Sequence, residues 1–351
     1  MVLANQNTKI KLSLWEKLQR SGALVQYSSK MRFLVTGGAG FIGAHLCERL
    51  VKDGHEVTAI DNLSTGRESN LTSILGSKNF TLIEGSILDS RVLNPLIFDV
   101  DYVFHLAAAV GVFNIVNNPL ASLLTNIRGT ENVLEIAHAT NTPVFLTSSS
   151  EVYGKNISNS LKETDDRILG SPVTLRWSYS EAKAIDESLA YAYFIERQLE
   201  TRIVRFFNTV GPRQLGSYGM VVPRFVQSAL NHQPITIYGD GNQTRCFAHV
   251  FDIIDAVIAT AFSENTIGKV INIGNDIEIS INELAQKIIH QTNSESKIVY
   301  VPYEEAYGSG FEDMERRVPN IELIGQLVGW KPKRDLSQII SDISAEMMKN
   351  A

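Results

Sequence analysis

From residue 31 onward the chain alternates short apolar runs with longer amphipathic stretches. The runs are 32–36 (RFLVT), 56–61 (EVTAID), 80–83 (FTLI), 102–107 (YVFHLA), 144–147 (VFLT) and 202–207 (RIVRFF), with 270–273 (VINI) a later one. Continuous apolar runs mark strands buried on both faces, and the intervals between them are long enough for helices. The rhythm predicts an α/β fold built on a doubly wound, parallel Rossmann-type sheet. Stretch 208–246 is rich in Gly, Pro and Arg, and 270–273 is followed by a helix-like 280–291 and a mixed tail. These predict a smaller, discontinuous lobe, 208–246 with 276–351, over the carboxyl edge of a main domain formed by 31–207 and 247–275. Open α/β sheets bind ligands at that edge.

Residues 1–30 break the rhythm. Lys9, Lys11, Lys17, Arg20 and Lys30 are interspersed among Ile10, Leu12, Leu14, Trp15, Leu18 and Leu24. Charges at those positions interrupt a secretory apolar core, so the segment reads as a surface extension, with a basic amphipathic helix as the alternative.

Composition narrows the function classes. The chain has 351 residues, 44% hydrophobic and 20% charged, which suits a globular protein with a large core. A net charge of -6 gives no global attraction to nucleic acid, so anion binding must be local. Cys47 and Cys246 are too few for a disulfide framework and lack metal-ligand spacing, so a reducing, cytoplasmic location and no metal site are expected. No apolar stretch is long enough to span a bilayer.

Three constellations carry chemistry. In Thr36-Gly37-Gly38-Ala39-Gly40-Phe41-Ile42-Gly43, Gly37 permits a tight turn, Gly40 lets backbone approach a pyrophosphate, and Gly43 lets helix and strand pack closely. The second strand ends at Asp61, whose carboxylate can accept from both ribose hydroxyls and would repel a 2′-phosphate; NAD is therefore expected rather than NADP. Glu84 to Asp89, ending the third strand, would sit beside the adenine. The second constellation is Tyr179 and Lys183, whose spacing of four places them on one helix face. An ammonium there would lower the phenol's pKa, letting it take a hydroxyl proton as hydride leaves the substrate. The third is Thr147 to Gly154 at the end of the fifth strand, where Ser148, Ser149 and Ser150 can hydrogen-bond a sugar and Glu151 can act as acid, base or electrostatic orienter.

The motifs TGGAGFIG, DNLSTG, VFHLAA, TSSSEVYG, YSEAK, RFFNTVGPRQ, VVPRF, IYGDGNQTRCFAHV and INIGN resemble the extended short-chain dehydrogenase/reductase family, in its nucleotide-sugar epimerase, dehydratase and decarboxylase branch, from Met31 to about Leu336. The resemblance implies an NAD site that adds Asn62, Ser64, Gly66, Ser86, Ile87 and Phe206 to the residues above. Leu106, Ala107 and Ala108 would pass beneath the cofactor, with Asn126 holding the fourth-strand region. Ser149, Tyr179 and Lys183 would carry hydride-linked proton transfer. Ser150, Asn208, Arg213, Val222, Tyr238 and Arg245 would contact a nucleotide sugar, Arg213 and Arg245 by neutralising phosphate and Val222 by lying against the base. Helices 115–139 and 180–197 would form the intersubunit bundle of a homodimer.

The branch oxidises its sugar, usually at C4. Ser150-Glu151 and Arg317, in Arg316-Arg317-Val318-Pro319, resemble UDP-glucuronate decarboxylases, with Arg317 directed at the sugar. UDP-glucuronate decarboxylase is thus the expected activity. Alternatives are a UDP-hexose or UDP-hexuronate 4-epimerase, a dehydratase using Glu151, and a non-catalytic NAD-binding sensor or scaffold. Two departures stand out: no Gly precedes Lys183, and the loop 155–178, with Arg167, Arg176 and Trp177, is long.

Overall fold

The computed structural model describes residues 30–349 except 112–114, 116, 217–219, 303–304, 306–313 and 315. The reading of residues 1–29 lies outside the described residues.

In chain order the strands are β1 (Arg32–Thr36), β2 (Glu56–Asp61), β3 (Phe80–Glu84), β4 (Tyr102–His105), β5 (Val144–Ser149), β6 (Thr201–Phe206), β7 (Thr209–Val210), β8 (Ile235–Tyr238), β9 (Thr244–Cys246), β10 (Ala248–His249), β11 (Val270–Ile273), β12 (Glu278–Ser280) and β13 (Ile298–Val301). The helices are α1 (Phe41–Lys52), α2 (Ser90–Phe98), α3 (Pro119–Thr140), α4 (Ser178–Arg197), α5 (Val221–Leu230), α6 (Val250–Ala261), α7 (Ile281–Gln291), α8 (Glu322–Val328) and α9 (Leu336–Lys349). Seven strands form one parallel sheet in the order β3-β2-β1-β4-β5-β6-β11. Strand order reverses between β1 and β4, which opens a crevice at their carboxyl ends.

The apolar runs form strands because both faces are covered. On one face Phe33, Val35, Phe104 and Phe145 pack with Leu46, Leu50, Ile253 and Val257 of α1 and α6. On the other, Leu34, Val103 and Leu146 pack with Leu93, Val133 and Ala190 of α2, α3 and α4. Each fully buried side chain of this size contributes about 1.5–3 kcal/mol relative to exposure. The run read as 102–107 leaves the sheet at His105, two residues early. Leu106 N–H donates to the Thr36 carbonyl and Ala107 N–H to Thr36 Oγ1, 3.1 Å each, and these bonds turn the chain over the crevice.

A separate core of Val222, Phe225, Ile237, Leu284, Ile288, Ile339 and Ile343 joins α5, α7 and α9 to β8. Its β8 pairs in parallel with β13, and β9 is antiparallel to β12. Residues 276–351 do not all join this core: Ile324 and Trp330 pack with the α1/α6 face of the main sheet. Trp330 Nε1 donates to the Asp252 carbonyl at 3.1 Å, so α8 belongs with the main sheet by contact.

Candidate active site

A cavity of about 780 Å³ runs from the β1–α1 turn to the smaller lobe. At one end Gly37 has φ +71°, and a Cβ there would sit 2.8 Å from the Ala107 backbone; a Cβ at Gly43 would strike the Gly37 carbonyl at 2.2 Å. Only glycine keeps this turn closed under α1. Helix α1 starts at Phe41 with Gly40 as its N-cap, no side-chain cap and no acidic residue in its first turn. Its first residues, Phe41, Ile42 and Gly43, border the cavity, and the uncapped N-terminus leaves positive potential for an anion.

Asp61 ends β2 at the cavity wall. Its Oδ2 accepts from Ala39 N–H at 3.0 Å and its Oδ1 from Leu63 N–H at 2.9 Å, which fixes the carboxylate plane. Burial raises its pKa, opposed by those backbone bonds. A Cβ on Gly66 would meet both carboxylate oxygens at 2.8 Å, so Gly66 stands behind Asp61 rather than on the cavity wall. Asn62, Ser64, Ser86, Ile87, Leu106, Ala107, Ala108 and Phe206 border the cavity directly. Asn126 is buried one layer out: its Oδ1 accepts from Ala109 N–H at 2.7 Å and its Nδ2 donates to the Ala109 carbonyl at 3.3 Å, clamping the chain after β4. The capless helix start, the glycine cradle and the fixed carboxylate together fit an adenine dinucleotide.

At the centre, Ser149, Ser150, Glu151, Tyr179 and Lys183 converge. Strand β5 delivers Ser149, whose Oγ accepts from Glu151 N–H at 3.2 Å and starts a single 3-10 turn over Ser150–Tyr153. Helix α4 delivers Tyr179 and Lys183. It is locked to the sheet by Glu187, which takes two bonds from Arg205 on β6, at 2.9 and 2.7 Å, and one from Ser148 at 2.5 Å.

Tyr179 hydrogen-bonds Ser149, yet its phenol lies above its ordinary pKa: burial pushes it up, with the carboxylates of Glu151 and Asp186 adding to the shift. The expected lowering by Lys183 is therefore not met. Lys183 Nζ donates to the Thr147 carbonyl and to Asp186 Oδ2, 3.1 Å each. Asp186, with no solvent exposure, is a charge partner that the Tyr-Lys spacing did not reveal.

Arg317 arrives from 166 residues away and donates from Nη1 to Glu151 Oε1 at 2.5 Å. Its segment is pinned on both sides. Arg316 makes two 2.7 Å bonds to Glu278, and Val318 and Asn320 exchange 2.8 Å backbone bonds with Leu161. Arg317 Nη2 also donates to Asn208 Oδ1 at 2.7 Å, and Asn208 is oriented by its own bond to the Cys246 carbonyl at 3.0 Å. On the other side Arg176 Nη1 donates to Glu151 Oε2 at 2.6 Å. Burial alone would raise the Glu151 pKa, but Arg176 and Arg317 outweigh it and hold the carboxyl down at about 2. Glu151 is thus an anion, not a ready acid. Sequence reading placed Arg176 in the long loop without a role; its place three residues before Tyr179 was the available signal.

In the smaller lobe Tyr238 and Arg245 border the cavity, with Arg224 stacked 4.4 Å from the Tyr238 ring centre. Two assignments there need correction. Val222 has no exposure and lies in the lobe's core, and its neighbour Val221 faces the cavity instead. Arg213 borders the cavity, but its guanidinium is engaged by Glu48 at 2.8 and 2.6 Å and by the Asn70 carbonyl at 2.5 Å, and it also contacts His45. It therefore ties α1 to the lobe rather than presenting a free charge to phosphate. Burial and then Arg213 lower the His45 pKa to about 4.

The family model described as GDP-mannose 4,6 dehydratase matches residues 34–343. UDP-N-acetyl-alpha-D-glucosaminuronate decarboxylase of Bacillus cytotoxicus is 43% identical over 304 residues, 86% of this chain and 93% of that protein. UDP-glucuronic acid decarboxylase 1 of Danio rerio is 35% identical over 328 residues, 92% and 75% of the two chains. Among solved structures, UDP-glucuronic acid 4-epimerase from Bacillus cereus, in complex with UDP-glucuronic acid and NAD, superposes with a TM-score of 0.81 at 28% identity over 92% of this chain and 100% of that one.

Proposed function

The chain belongs to the GDP-mannose 4,6 dehydratase family of extended short-chain dehydrogenases/reductases, and from that premise we propose that it is a UDP-hexuronate decarboxylase. It is an NAD-dependent enzyme acting on a nucleotide sugar, as its relatives and neighbours support. The observation that carries the decarboxylase reading is Arg317, a guanidinium aimed at Glu151 beside Ser149 and Tyr179, where a uronic acid's carboxylate would need a cationic partner.

Bound NAD supplies reversible two-electron oxidation at the sugar's C4. Gly37, Gly40, the first turn of α1, Asp61 and Lys183 would hold it. With NAD bound, the positive charge of its nicotinamide would offset the burial and carboxylates that raise the Tyr179 phenol, so that Tyr179 would take the proton of the C4 hydroxyl and return it at the end, with Ser149 sharing the hydrogen bond. Once C4 is a ketone, the C5 carboxylate is a β-keto acid. The C5–C6 bond breaks, CO₂ leaves, and the electron pair moves onto the C4 oxygen as an enolate; C5 then takes a proton from water as the C4 carbonyl re-forms. Arg317, itself held by Asn208, orients the carboxylate across that bond. Glu151, fixed as an anion, disfavours a second negative charge in a poorly solvated place and so favours its loss as neutral CO₂. Arg245, Arg224 and Tyr238 would receive the nucleoside diphosphate.

The test is a mass-resolved product assay with UDP-glucuronate and UDP-N-acetylglucosaminuronate. Loss of CO₂ from either supports the reading, and a same-mass epimer alone replaces it with 4-epimerisation. Loss of water would indicate a dehydratase, for which the position before Glu151, Ser150, offers no carboxylic acid. The proposal extends to a cytoplasmic homodimer. Cys47 and Cys246 are both free and buried, and Leu120 on α3 with Ile185 and Ile195 on α4 are exposed on adjacent helices. A single species of monomer mass in sedimentation would exclude the dimer. No described helix is long and apolar enough to cross a membrane.

A further inference from the structure

Two guanidiniums hold Glu151, one on each oxygen, and they are supported differently. Arg317 has a second partner, Asn208, on the cavity wall. Arg176 lies on a one-turn 3-10 segment, Leu175–Trp177, directly before α4. Its guanidinium rests 5.3 Å from the ring centre of Trp177, which has no solvent exposure, and its Nη1 reaches Glu151 Oε2 at 2.6 Å. Arg176, Arg317 and Glu151 are all largely buried.

Consider what happens when a carboxylate enters. To bind it, Arg317 must release Glu151 Oε1 or share itself. If Arg317 were the sole partner of Glu151, its departure would strand a buried anion, which would either take up a proton or follow the guanidinium and repel the substrate. A second guanidinium on Oε2 removes that conflict.

Resting on the decarboxylase reading, we propose that Arg176 is a positioning residue that anchors Glu151 through Oε2, so that Arg317 exchanges Oε1 for the carboxylate of the hexuronate. Arg176 does not touch the reacting bond. It keeps Glu151 ionised and in place through the exchange.

The experiment uses the full-length enzyme with NAD and UDP-glucuronate or UDP-N-acetylglucosaminuronate, whichever the wild type decarboxylates. Absence of CO₂ release from both in the wild type overturns the decarboxylase reading and this inference with it. With wild-type release established, the variants address Arg176 alone. Arg176→Gln is expected to lower kcat for CO₂ release about 10- to 100-fold through lost orientation, with KM within about threefold. A larger share of oxidised but undecarboxylated sugar is expected, and Arg176→Lys should recover most of kcat. In the Glu151→Gln background Arg176→Gln should add no further loss, because its effect runs through Glu151. Losses that multiply in the double variant, or a drop in Arg176→Gln without a change in product partition, overturn the inference. Should Arg176→Gln fail to fold, the same cycle is run with Arg176→Lys, where a loss independent of Glu151 has the same overturning force.

Discussion

Arg317 Nη1 meets Glu151 Oε1 at 2.5 Å although 166 residues separate them in the chain. The contact joins the segment after the smaller lobe's strands to the end of β5, so the sugar end of the cavity is complete only when both parts of the chain are folded together. It also sets a charge state: Arg317 and Arg176 together hold Glu151 as an anion.

Arg317→Ala is therefore expected to abolish CO₂ release while sparing oxidation at C4, which rests on Ser149, Tyr179 and Lys183. Lost orientation of the scissile carboxylate can amount to several kcal/mol. A mass-resolved assay of UDP-glucuronate and UDP-N-acetylglucosaminuronate turnover checks it, and CO₂ release at the wild-type rate would remove Arg317 from the mechanism.

Tyr179→Phe keeps the ring and loses the proton carrier. Turnover should fall by roughly 10² to 10⁴, while the thermal midpoint and NAD affinity stay close to wild type. Near-normal turnover would assign the proton transfer to another group.

Asp61 is held by two backbone N–H groups at the end of β2, so its carboxylate can neither rotate away nor be replaced by a neighbour. Asp61→Ala should weaken NAD binding by about 2–4 kcal/mol, the loss of a pair of charge-assisted hydrogen bonds. Calorimetry reads the change directly, and tighter binding of NADP than NAD by the unaltered protein would reverse the cofactor assignment.

His45 links stability to pH. Its folded pKa of about 4 lies below the ordinary 6.5 because of burial and the Arg213 guanidinium. Between those values the unfolded chain binds a proton that the folded protein refuses, so stability is fully present above 6.5 and drains as pH falls toward 4. The slope amounts to about 3 kcal/mol across that window. Urea midpoints measured from pH 7 to pH 4.5 should fall more steeply for the wild type than for His45→Gln; equal slopes would mean that His45 takes up its proton as readily in the fold as in the unfolded chain.

Much of the framework was legible in the sequence because it depends on short-range spacing. Apolar runs without alternation specify strands covered on both faces, and 32–36, 56–61 and 270–273 became β1, β2 and β11 with unchanged bounds. Gly37, Gly40 and Gly43 are close enough in sequence for local backbone geometry to set the turn, and Asp61 follows from where β2 ends. Tyr179 and Lys183 share a face of α4 because a helix brings every fourth residue round.

Tertiary structure decided what no local period encodes. Lys183 and Asp186 lie three apart on α4, but the burial of that pair depends on how α4 packs against β5 and β6, where Ser148 and Arg205 bond Glu187. Val222, expected against the base, enters the core and Val221 the cavity wall, because the packing of α5 chooses which side chain is buried. Arg213, read as a phosphate ligand, is captured by Glu48 on α1, and Arg176, read as part of a long loop, is brought onto Glu151. Charged side chains on loops reach several partners at similar distance, so burial and the nearest opposite charge select among them only after the elements have packed.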